Sequence, residues 1–167
     1  RCTGGGHRTD DAEDNFYSGV VDFETVRIAF VAAVLMELQV IAADVASAYI
    51  QAYTREKVYV VAGPEWGPHA GAILIVVRAI YGLKTSSAMW HQKWADNLRE
   101  MGFRPCKADQ DLWMQDRGDH YKYIAVIVDD LLIFSREPEV IIEPIKALFK
   151  YELKGVGIPE YYNGADV

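Results

Sequence analysis

The sequence predicts an α+β fold, an antiparallel sheet with helices packed against it. Three observations carry that prediction. Apolar β-forming runs alternate with helical patterns along 167 residues, a length that supports a real core. The run from Tyr123 to Phe134 is broken only by Asp129 and Asp130, and Tyr121–Val128 with Leu131–Phe134 reads as a hairpin with the aspartates at its tip. That hairpin sets the chain apart from a doubly wound parallel sheet. No internal repeat, low-complexity tract or domain boundary appears, so residues 1–167 read as one domain.

The elements follow in order. Residues 1–21 are rich in Gly, Asp and polar side chains and read as irregular. From Asp22 to Gln39, the apolar residues Val26, Ile28, Phe30, Val31, Val34, Leu35 and Leu38 occupy most of a helix circumference. This predicts a largely buried helix capped by Asp22. Val40 to Val45 is a short buried strand that releases the chain at Asp44. Ala48 to Ala52 fits a single helical turn. Lys57–Ala62 and Ala72–Arg78 are β-rich runs around a Gly- and Pro-rich loop, Gly63 to Gly71. Thr85 to Met101 is the clearest helix, with Trp90, Trp94, Leu98 and Met101 on one face and Gly102 as its stop. That regular stripe favours core packing over base stacking for the two tryptophans. Asp111–Gln115 is a strand and Asp116–Asp119 a turn, followed by the hairpin. Glu139 to Tyr151 is a helix interrupted or kinked near Pro144. The tail is β-like around Tyr161 and Tyr162.

Composition narrows the function. Net charge is −7 and the pI is about 5.0, against a freestanding electrostatic nucleic-acid binder. A catalytic module with basic surfaces in other segments stays open. Two cysteines are too few for a disulfide framework or a zinc site, which points to a reduced, intracellular setting. The four histidines show no metal-ligand spacing. No apolar run is long enough to cross a membrane. The N-terminus has no initiator Met and no signal-like apolar stretch, as expected of an excised or translated fragment.

The chemistry centres on Asp129 and Asp130. Neighbouring carboxylates repel, and desolvating either is costly. A divalent cation resolves both problems. Asp44, 85 residues before Asp129, also ends an apolar run. Three carboxylates on neighbouring strands form a hard, oxygen-rich site suited to Mg²⁺. Two such ions suit activation of a 3′-hydroxyl and stabilisation of departing pyrophosphate. The bland alternative is that Asp-Asp is an ordinary turn and Asp44 a strand end. The combination favours the metal reading.

Further motifs agree. Asp44-Val-Ala-Ser-Ala-Tyr49, Glu56-Lys-Val-Tyr59, Ile80-Tyr-Gly-Leu-Lys84, Ala88-Met-Trp90 and Val128-Asp-Asp-Leu-Leu-Ile133 follow one another in a characteristic order and spacing. Gly102-Phe103, Ala108-Asp109 and Leu153-Lys-Gly155 extend the pattern. In these motifs the chain resembles copia-type retrotransposon reverse transcriptases along nearly its whole length. The resemblance implies a right-hand polymerase palm with partial fingers and no thumb. It implies RNA-directed DNA polymerase activity, two Mg²⁺ ions (or Mn²⁺), dNTP, and an RNA or DNA template with primer. Asp44, Asp129 and Asp130 would be catalytic and metal-binding, joined by the Val45 backbone carbonyl. Tyr49 would be the steric gate against a ribose 2′-hydroxyl; without the resemblance it reads as a core aromatic. Tyr81, Gly82 and Lys84 would line the nucleotide, and Arg1 would contact the triphosphate. Lys154 would be the general acid towards pyrophosphate, with an exposed loop cation as its plain alternative. The remaining polyprotein segments, namely thumb, RNase H and integrase, are expected outside this region. The resemblance implies a cytoplasmic particle or the nucleus as compartment, and no membrane.

The chain departs from the family pattern at several positions. Ile127 stands where an aromatic usually precedes Val-Asp-Asp. Cys2-Thr3-Gly4 replaces apolar residues after the arginine, and Thr85-Ser86-Ser87 replaces a stretch with Gln and Pro. Tyr162-Asn163-Gly164 replaces a Phe-Leu-Gly-like segment. These departures keep open a catalytically inactive remnant that binds nucleic acid or protein; the carboxylates alone would also suit an unrelated Mg²⁺ phosphotransferase or nuclease, against which the ordered motifs argue.

Overall fold

The computed structural model describes residues 18–159, together with the backbone of 161–162 and 165–166. Arg1, Cys2–Gly4 and Asn163–Gly164 lie outside the described residues. In chain order the elements are α1 (Phe23–Leu35), β1 (Gln39–Val45), β2 (Tyr59–Val61), β3 (Ile73–Ile75), α2 (Ser86–Glu100), β4 (Arg104–Pro105), β5 (Leu112–Asp116), β6 (Tyr121–Ile127), β7 (Asp130–Ser135), α3 (Glu139–Phe149), β8 (Leu153–Gly157), β9 (Tyr161–Tyr162) and β10 (Ala165–Asp166). The result is a mixed α and β fold with antiparallel sheets. Two compact units emerge. Among the described residues, one is built on 19–46 and the chain from 94 onward, the other on 47–93.

The first unit is built on a six-stranded sheet of order β4-β5-β6-β7-β1-β8, antiparallel at every junction. Leu132 and Phe134 of β7 and Ala125 of β6 pack with Val26, Ala29 and Ala33 of α1. Side chains alternate along a strand, so Leu131 and Ile133 face the other way. They too are fully buried. Burial on both faces explains why β6 and β7 read as near-continuous apolar runs. Trp94, in the part of α2 that belongs to this unit, lies 5.8 Å from the Tyr151 ring. Asn97 Nδ2 donates to the Tyr151 hydroxyl at 2.6 Å. Trp90 and Trp94 are both buried, as the stripe predicted.

The helix expected over 22–39 needs two corrections. It ends at Leu35, and it is not largely buried. Ile28, Val31, Val34 and Leu35 are 68%, 61%, 79% and 79% exposed. The buried face uses Val26 and two alanines, because small side chains let the helix approach the sheet closely. Asp22 does take the N-cap position, but its side chain makes no cap hydrogen bond. Its backbone N–H instead donates to Asp109 Oδ2 at 2.9 Å. Further on, α3 continues through Pro144 and ends at Lys150, which adopts a left-handed conformation.

In the second unit, the two β-rich runs shorten to β2 and β3, paired antiparallel with Tyr59 opposite Ile75 and Val61 opposite Ile73. A single turn of 3₁₀ helix occurs at Tyr49–Gln51, where the short helical turn was expected, and the loop holds 3₁₀ segments over Pro64–His69 that kink at Gly67. Among the described residues, no helix is long and apolar enough to cross a membrane.

Candidate active site

The hairpin tip is a two-residue turn, Val128-Asp129, closed by the pair Ile127 and Asp130. Val128 has φ +56°. A β-branched residue in the left-handed region is strained, at a cost of about 1–3 kcal/mol. Among the described residues, Asp129 has no positive φ, so the turn carries the φ signature of type II′. The sheet holds this turn against β1. Asp44 is the register partner of Asp130, and the Val45 N–H donates to the Asp129 carbonyl at 2.8 Å.

Alternation then fixes the facing. Val40 and Ala42 belong to the α1-side cluster, as do Leu132 and Phe134. Asp44 and Asp130 continue those two series, so they form a cross-strand pair on one face. Directly opposed like charges are unfavourable in a sheet. Asp44 and Asp129 are half-buried and Asp130 is exposed. Partial desolvation of the Asp130 carboxyl, then the charges of Asp129 and Asp44, push its pKa above the ordinary carboxylate value.

On its other side β1 pairs with β8, and Lys154 is the register partner of Asp44. The ladder shifts register between Ala42 and Asp44, a bulge beside the carboxylate. The Ala46 N–H continues the contact by donating to the Glu152 carbonyl at 2.9 Å. Lys154 therefore lies on a strand, opposite an aspartate. Val45 is fully buried, with Leu153 as its register partner.

Among the described residues, no group of three His, Cys, Asp or Glu side chains is arranged to hold a metal ion by itself. The donor chemistry fits Mg²⁺ nonetheless. That ion keeps several waters and binds through one or two carboxylates plus substrate phosphates rather than in an all-protein cage. Asp44, Asp129 and Asp130 supply hard oxygens from adjacent strands, and the mutual repulsion raises the gain from a cation.

Of the remaining predicted residues, Tyr49, Tyr81, Gly82 and Lys84 lie in the other unit, and Arg1 lies outside the described residues. Tyr49 opens the 3₁₀ turn, and its ring sits 4.5 Å from that of Tyr81. Gly82 has φ +89°, a conformation that glycine adopts without strain. Lys84 is half-buried, two residues before α2. Sequence reading placed Glu56 in a motif but gave it no part in anchoring this segment. Glu56 Oε1 accepts hydrogen bonds from both the Thr85 N–H, at 2.8 Å, and the Thr85 hydroxyl, at 2.7 Å. The partners are 29 residues apart, so no local pattern announces the bond.

Comparison with known proteins accords with the motifs. Residues 1–167 match the family described as reverse transcriptase (RNA-dependent DNA polymerase). The putative transposon Ty5-1 protein of Saccharomyces cerevisiae is 26% identical over 127 residues, 74% of this chain and 41% of that protein. The retrovirus-related Pol polyprotein from transposon RE1 of Arabidopsis thaliana is 27% identical over 127 residues, covering 75% of this chain and 9% of the polyprotein. The corresponding polyprotein from transposon RE2 is 27% identical over 134 residues, covering 79% and 9%. The chain thus spans less than half the length of each of these relatives. No solved structure matches it. With the aspartates in register and a family match across every residue, the chain belongs to the reverse transcriptase (RNA-dependent DNA polymerase) family, in its copia-type retrotransposon branch.

Proposed function

We propose that this chain carries the catalytic centre of an RNA-directed DNA polymerase within a retrotransposon Pol polyprotein. It extends a primer 3′-hydroxyl with dNTP on an RNA or DNA template. The observation that carries the reading is the pairing of Asp44 with Asp130, with Asp129 in the adjoining turn. The six-stranded unit corresponds to the palm, and residues 47–93 to part of the fingers. Asp44, Asp129 and Asp130, with the Val45 carbonyl, would hold two Mg²⁺ or Mn²⁺ ions. Bound there, the cations neutralise triphosphate charge and make the primer hydroxyl a better nucleophile. The Val45–Asp129 backbone bond keeps β1 and the turn aligned. The Lys154 ammonium would give a proton to departing pyrophosphate, a role supported by its register opposite Asp44. Tyr49, braced by the Tyr81 ring, excludes the ribose 2′-hydroxyl. Tyr81, Gly82 and Lys84 receive the incoming nucleotide, and Arg1 its triphosphate. The thumb, RNase H and integrase segments of the polyprotein are the expected covalent partners.

Primer extension on an RNA template with Mg²⁺ tests this. Asp129→Asn should lower extension by at least about a thousandfold, the scale of removing a principal transition-state contact. Full activity in that variant overturns the assignment. One second reading has support on the page. Ile127 in place of the usual aromatic suits an inactive remnant. Templated extension by this chain excludes it.

A further inference from the structure

We infer that Glu56 is a positioning residue whose carboxylate, by gripping Thr85, fixes the Tyr81–Lys84 segment on which nucleotide affinity depends. The inference rests on the assignment of Tyr81, Gly82 and Lys84 to the nucleotide proposed above. The segment has no strand ladder of its own and turns through Gly82 at φ +89°. Its shape therefore depends on what holds its ends. Upstream, the Ala79 N–H donates to the Ala52 carbonyl at 3.0 Å, and the Ser86 hydroxyl donates to the Ile80 carbonyl at 2.7 Å. Downstream, Glu56 takes both donors of Thr85.

Thr85 and Ser86 are buried. Their polar groups need partners there, and a buried donor left unmet is costly. The carboxylate also sits beside the start of α2, where the helix dipole favours negative charge. A charged acceptor makes both bonds stronger than neutral ones. Glu56 is itself oriented, since its N–H donates to Thr54 Oγ1 at 3.1 Å. The Tyr49–Tyr81 ring contact carries the effect one residue further, to the proposed steric gate. Two residues of the departure Thr85-Ser86-Ser87 thereby gain a purpose, because their hydroxyls tie both ends of the segment.

The test is steady-state primer extension by the full chain, with KM for dNTP and kcat measured separately. Glu56→Ala should raise KM roughly tenfold and leave kcat within about twofold, as expected for lost binding alignment. Glu56→Gln keeps an acceptor oxygen and should restore KM to within about threefold of the parent. Thr85→Val removes only the hydroxyl and should raise KM by a smaller factor, with Thr85→Ser restoring it. A folded Glu56→Ala protein with unchanged KM, or with kcat lost at unchanged KM, overturns the inference. If Glu56→Ala does not fold, Thr85→Val decides, and an unchanged KM there overturns it equally. A parent chain that never extends a primer, or extends one despite Asp129→Asn, overturns the polymerase reading and this inference together. An active parent abolished by Asp129→Asn but indifferent to Glu56→Ala overturns this inference alone.

Discussion

At the tip of the β6–β7 hairpin, Asp130 has to ionise beside two other carboxylates. The raised pKa records that conflict. Replacing Asp130 by Asn keeps the side-chain shape and removes one of the three charges. Without metal at neutral pH, Asp130→Asn should therefore stabilise the fold, though only slightly, because solvent screens an exposed carboxylate. The melting temperature should rise accordingly. Primer extension should be lost in the same protein. A lower melting temperature, measured by metal-free thermal unfolding, would contradict the electrostatic account. Asp129 and Asp130 were legible in sequence because polar residues inside an apolar run demand a reason. Glu56 was not, because its partner comes from a contact 29 residues away. The strain at Val128 was equally hidden, since nothing local shows that a valine opens the turn.

Among the elements, α1 separates what periodicity shows from what it conceals. Its apolar residues were read correctly as helical, but apolar character does not reveal which side meets the sheet. The buried side is Val26, Ala29 and Ala33, and the larger Ile28, Val31, Val34 and Leu35 point outwards. Substitution should sort the two faces. Val34→Lys should change stability by less than about 0.5 kcal/mol, as for an ordinary surface position. Ala33→Leu adds volume against Leu132 and Phe134 and should cost about 1–3 kcal/mol. Urea unfolding of the two variants checks the order, and an equal cost would mean that the faces are assigned wrongly. β6 and β7 were legible for the opposite reason, because burial on both faces leaves their central residues, Tyr123–Ile127 and Leu131–Phe134, without a charged side chain. The five residues of β8, Leu-Lys-Gly-Val-Gly, show no alternation and two glycines. That strand exists through its pairing with β1, which only the folded sheet reveals.

For the whole molecule, the net charge of −7 hides an uneven distribution. Residues 47–93 contain Arg55, Lys57, Arg78, Lys84 and Lys93 against Glu56 and Glu65 alone. The acidic excess lies elsewhere in the chain. Global stability should also respond to alkali through Tyr151. Burial, opposed by the Asn97 hydrogen bond, pushes its pKa from 10.0 up to about 12. The unfolded chain then loses that proton first, and stability falls as pH rises from 10 through 12. Tyr151→Phe should cost about 1 kcal/mol at neutral pH, through the lost Asn97 bond. It should show a shallower decline above pH 10 than the parent in urea titrations. An identical decline would remove Tyr151 from the account. A last consequence follows from the order of strands. β8 is the outermost strand beside β1, and its residues 154–156 are exposed. If β8 peels away, β1 becomes a bare edge that offers its ladder to any passing strand. Aggregation and loss of the aspartate alignment would then begin at the same seam.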